Sequence, residues 1–134
     1  MRRVDGWRWS IALLDGWSAV DDPQNPYLSI SRGFGELRMS IHNKRKGPVS
    51  GSDVLEFANL WTRWGDIWNG ELEPVVFGEF RGVIEKYWTN DGGGLRIWVG
   101  KDNVLVAATY LGPREARREE EPQVLFMLNT LRWS

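Results

Sequence analysis

The chain has 134 residues, 42% of them hydrophobic and 26% charged, with 17 Lys plus Arg against 18 Asp plus Glu and no cysteine. That length suits one domain spanning 1–134, able to bury roughly two-thirds of the surface its unfolded form exposes. The near-zero net charge leaves no nucleic-acid footprint, the lack of cysteine excludes disulfides and cysteine zinc sites, and no run approaches the ~20 apolar residues of a membrane span.

The N-terminus MRRVDGWRWSIALLDGW carries two arginines, but its apolar run from Ile11 to Leu14 is far shorter than a signal-peptide core and ends at Asp15. An unprocessed, cytoplasmic chain is expected. Asp15-Gly16 is a strong turn dipeptide between two short apolar runs and predicts a hairpin. After the loop DDPQNP, the segments YLSISR and ELRMSIH both alternate, with Gly33 and Gly35 supplying the turn between two further strands. NKRKGPVSGS is a polar connection.

Asp53 with Glu56 three residues on has the spacing of a capping box. At 100° per residue Val54, Phe57, Ala58, Leu60, Trp61, Trp64, Ile67 and Trp68 fill one half of the wheel, so an amphipathic helix is predicted over 53–69, ending at Gly70. Phe57, Trp61 and Trp68 lie in the apolar half as core, and Trp64 lies toward its edge.

VVFGEFRGVIEKYW then reads as one long strand with glycines at 78 and 82, and TNDGGG closes a hairpin into LRIWVG. With Asp102-Asn103 as a two-residue loop, Val99 faces Val106, Ile97 faces Ala108 and Leu95 faces Tyr110, an apolar core face. The opposite face carries Trp98, Leu105, Ala107 and Leu111 and also wants a cover, for which the terminal VLFMLNTLRW is the candidate. The expected fold is α+β: an α/β/α sandwich with a mostly antiparallel sheet of six to seven strands and a helix on each face.

This order of elements, with Gly16-Trp17 after the first apolar strand, TYLG closing the last long strand and VLFMLNTLRW at the end, resembles the PsbP/DcrB-like superfamily over nearly the whole chain. Members commonly have Pro before the Gly-Trp pair, where this chain has Asp15, and close on Ser-Leu, where it has Thr130-Leu131. The resemblance implies a largely non-enzymatic α/β/α sandwich. Its members include photosystem accessory subunits, lipoproteins, the Ran-binding Mog protein and adaptor chaperones of type VI secretion effectors.

The residues themselves offer little chemistry. His42 is the single histidine, so with no cysteine a metal site would need carboxylates for every other ligand; none is expected, and no cofactor is called for. Asp21-Asp22 are adjacent and point to opposite sides of an extended chain, Glu119 to Glu121 read as a solvated or helix-starting charge run, and NDGGG lacks the lysine of a phosphate loop. No catalytic residue is assigned. Two functions remain open: a protein-binding module of adaptor-chaperone or immunity-like type, and a domain that holds a small apolar molecule or lipid between sheet and helix. Nine tryptophans are many for a core of this size, and Trp64, Trp98 and Trp88 are the candidates for partner contact.

Overall fold

A computed structural model describes residues 1–5, 8–21, 27–62, 68–69, 71–89 and 92–133, with backbone alone at 61, 62, 68, 69 and 89. Strands β1 (Arg2–Asp5) and β2 (Trp9–Leu13) pair with the terminal β11 (Arg132–Trp133) in a small antiparallel sheet of order β1-β2-β11. The large sheet holds β3 (Ser18–Asp21), β4 (Leu28–Ser31), β5 (Glu36–Asn43), β10 (Val104–Gly112), β9 (Gly92–Lys101) and β8 (Phe80–Thr89), side by side in that order and all antiparallel. Its seventh position is shared by β6 (Trp68–Asn69) and β7 (Glu73–Phe77), which pair with different parts of β8.

Two helices close the sandwich. The register around the Asp102-Asn103 turn sets Val99 opposite Val106, Ile97 opposite Ala108 and Leu95 opposite Tyr110, as the two-residue loop requires. Those side chains, with Leu37, Met39, Leu28 and Ile30 from β5 and β4, bury against Val124, Met127 and Leu128 of α2 (Arg114–Leu128) and against Ile11 and Leu13 of the small sheet. Ile97, Val99 and Val106 therefore lie in the main core. The opposite face buries Trp98 and Leu105 under Val54 and Ala58 of α1 (Gly51–Thr62), with Phe57 half-buried beside them. On the β4–β5 half of that face the residues are Ser29, Ser31, Glu36, Arg38, Ser40 and His42. A polar half-face has no use for an apolar helix, which is why α1 sits over β8, β9 and β10.

Five expectations change. The helix that covers Trp98 is α1, not the terminal segment, which covers the other face instead. The capping box lies one turn earlier than Asp53–Glu56: the Asp53 amide donates to Ser50 Oγ at 3.1 Å and the Ser50 amide donates to Asp53 Oδ2 at 2.9 Å, so the helix begins at Gly51. At its other end α1 is described to Thr62, and Trp68 is a strand residue paired with Trp88 rather than part of the helical stripe. The side chains of Trp61 and Trp68, and all of Trp64, lie outside the described residues. The segment read as one strand through Gly78 is a hairpin, with Phe77 opposite Phe80 and Gly78 at φ +60° in the turn. Gly16 does turn the chain, at φ +90°, but β2 and β3 on either side join different sheets. A turn dipeptide specifies a reversal and not the partner of each arm. Here Ile11, Leu13 and Trp17 bury beside α2, and the Trp17 indole N–H donates to Gln123 Oε1 at 2.7 Å.

Candidate functional site: a groove between the C-terminal helix and the sheet edge

Strand β8 extends to Thr89, and side chains at every second position along it share the α2 face: Ile84, Lys86 and Trp88, opposite Ile97, Leu95 and Gly93. Gly93 has no side chain to lay against the indole, so Trp88 stays 44% exposed. Glu73, Val75 and Phe77 of β7 point to the same face, since they lie opposite Ile84, Gly82 and Phe80. Together with Glu71 and with Leu125 of α2 they enclose an open groove of about 570 Å³ floored by Ile84, Lys86, Trp88 and Leu95. One wall is the sheet edge and the other is the helix.

The charges along the groove are unevenly matched. On the helix wall Arg117 pairs with Glu121 at 3.0 Å, and Glu121 lies 3.9 Å from the Lys86 ammonium. Behind the groove, on the sheet's other face, the buried Glu85 sits 2.7 Å from the buried Arg96 Nε, close enough for an ion pair though not aligned as a hydrogen bond. Burial pushes the Glu85 carboxyl above the usual range, and Arg96 pulls it back. Glu71 and Glu73, both exposed, have no ion pair among the described residues.

A second buried carboxylate holds the far end of the sheet. Glu120 is 0% exposed on α2, where Oε1 accepts from the Gly35 amide at 2.8 Å and the Tyr110 hydroxyl at 2.7 Å while Oε2 accepts from Arg32 Nε at 2.7 Å. A Cβ at Gly35 would meet the Tyr110 ring at 2.5 Å, so only glycine lets the β4–β5 turn seat on that residue. The result is a fixed turn that leaves Phe34 exposed. The sequence pattern had placed Glu120 in a solvated charge run; the signal that could have found it is its helical spacing, four residues before Val124 and four after Ala116, both buried.

The three tryptophans chosen for partner contact fare differently. Trp98 is 2% exposed, sealed beneath Val54 and Ala58, and is not available to a partner: its face was apolar because a helix covers it. Trp88 is exposed and lies in the groove. Trp64 is outside the described residues.

Other concavities offer less. A depression of about 630 Å³ beside the small sheet is lined by Arg3, Glu79, Asn129, Thr130 and Arg132, and Arg3 is already committed to Ser10 Oγ at 2.9 Å and the Thr130 carbonyl at 2.7 Å. A smaller one, about 300 Å³, lies between α1 and the end of β5. There His42 Nε2 is 2.9 Å from Ser40 Oγ and its ring packs 5.0 Å from Phe57, and burial lowers its pKa. Among the described residues no group of three or more His, Asp or Glu could hold a metal ion. Nor is any described helix long and apolar enough to cross a membrane.

No protein-family model matches the chain, and no curated protein does. Solved structures do. The chain is similar to a protein of Bacteroides thetaiotaomicron VPI-5482, with TM-score 0.64 and 12% identity over 95% of this chain and 45% of that one, so it spans less than half of that protein's length. It is also similar to cyanobacterial PsbP (CyanoP) of Synechocystis sp. PCC 6803, with TM-score 0.63 and 11% identity over 99% of this chain and 92% of that one. The fold is PsbP-like, and at such identities the likeness is one of fold alone.

Proposed function

We propose that the chain is a non-enzymatic, cytoplasmic protein-binding module, of adaptor or immunity-like type, whose partner site is the groove between α2 and the β7–β8 edge. The observation that carries this reading is Trp88, left 44% exposed on the floor of an apolar groove while Trp17 and Trp98 are buried. Tryptophan is among the residues enriched at the energetic centres of protein interfaces. The rest of the molecule supports binding over catalysis. Its buried carboxylates are engaged by neighbours, and its one histidine faces a serine on a strand surface with no third group among the described residues to orient it.

The groove's volume of about 570 Å³ also falls in the range of small-molecule pockets, which keeps the apolar-ligand reading as the second one. Photo-crosslinking separates them. A photoreactive residue in place of Lys86, whose side chain is solvent-accessible in the groove, should capture a defined protein in the native host, whereas one in place of Val20 on the far edge should not. Native mass spectrometry of the purified chain with a bound apolar molecule, and no capture at position 86, would replace the first reading by the second.

A further inference from the structure

Resting on that reading, we infer that the groove's occupant is a cationic apolar segment of the partner: a large apolar or aromatic side chain seated on Trp88, with Lys or Arg within a few residues of it. The floor and helix wall supply the apolar half of this requirement, through Ile84, Trp88, Leu95 and Leu125. The charged half comes from what is left once each group facing the groove is matched. Along the helix wall Arg117 and Lys86 share one carboxylate, Glu121, which leaves a single positive charge over, and Glu85 lies with Arg96 on the sheet's other face. Glu71 and Glu73 on the sheet wall remain, exposed and without an ion pair among the described residues. Two exposed carboxylates lining the same groove as an exposed indole, against the one surplus positive charge of the helix wall, favour a partner that brings both a hydrophobic anchor and positive charge.

The edge itself excludes simple strand addition. The two-residue turn makes Phe77 and Phe80 a hydrogen-bonded pair, so Glu73, Val75 and Phe77 turn their backbone groups toward β8 and Pro74 and Val76 turn theirs outward. Pro74 has no N–H to offer there. Recognition therefore runs through side chains in the groove rather than through a new strand on β7.

The test is selection of random twelve-residue peptides on the immobilised chain, with the Trp88→Ala and Leu125→Ala variants as counter-screens and circular dichroism to confirm that both are folded. Peptides that need Trp88 should be enriched in Trp, Phe or Leu close to Lys or Arg. A synthetic peptide of the selected sequence should bind about tenfold more weakly to a Glu71→Lys/Glu73→Lys double variant, and more weakly in high salt. Trp88-dependent peptides without a basic bias, or with affinity untouched by the charge reversal, would overturn the charge inference and leave the groove standing. Selection that yields no Trp88-dependent peptide would overturn the groove reading itself.

Discussion

Glu120 shows how one buried charge can be tolerated because every oxygen is engaged. Three donors from three separate places in the chain converge on it, one from the β4–β5 turn backbone, one from Arg32 and one from Tyr110. Glu120→Ala strips all of them at once and strands the Tyr110 hydroxyl and Gly35 amide away from water, so a loss of about 3–5 kcal/mol is expected in urea denaturation. Asp53 makes a prediction of a different kind. Its carboxyl is drawn down to about 2, first by the hydrogen bond from Lys44 and then by the Ser50 amide. Since the folded pKa lies below the ordinary 3.8, the ionised form stabilises the fold above pH 4, and that contribution disappears as the pH falls toward 2. Asp53→Asn should flatten the fall in stability between pH 4 and pH 2 relative to the parent, measured by denaturant titration at each pH. An unchanged slope would show that the Lys44 contact does not persist in solution.

Among the elements, those set by short-range regularities were legible and those set by choice of partner were not. Alternation identified the strands of β4, β5, β9 and β10, and the Asp102-Asn103 loop gave the β9–β10 register residue by residue, because a two-residue turn leaves no freedom. Helix α1 was visible as a stripe, but two overlapping capping patterns start at Ser50 and at Asp53, and only the earlier one forms. Its far end was overextended because Trp68 fits a helical face as well as a strand, and pairing with Trp88, a non-local contact, decides between them. Trp98 illustrates the same limit on the candidate site. Sequence spacing showed an apolar second face but not that α1 would lie over it, so a core residue looked like a contact residue. Trp88 could not be placed until the pairing of β8 with β9 fixed its face, with Thr89 opposite Gly92. If Trp98 belongs to the seam under α1, Trp98→Ala should cost about 3–5 kcal/mol in equilibrium unfolding, as large aromatic truncations in packed interiors do. A change below about 1 kcal/mol would mean that α1 does not seal that face.

On the scale of the whole molecule, the fold spends most of its apolar surface on two seams of unequal reach. The α2 side joins helix, small sheet and large sheet into one core, while α1 closes only the β8–β10 half of the other face. Large apolar side chains stay exposed at several places, among them Phe34, Leu60 and Phe126, but Trp88 is the exposed indole of the described residues, at the edge where β6 and β7 share one position. Leu125 of the helix wall and Glu71 and Glu73, which have no ion pair among the described residues, line the same groove as that indole. The most direct measurement is the affinity of the partner captured at position 86 for folded Trp88→Ala, set beside a Val20→Ala control on the opposite edge. Loss of about 2 kcal/mol, some 30-fold, for Trp88→Ala alone is the expected result. Equal affinity of parent, Trp88→Ala and control would contradict the assignment of this groove as the binding site.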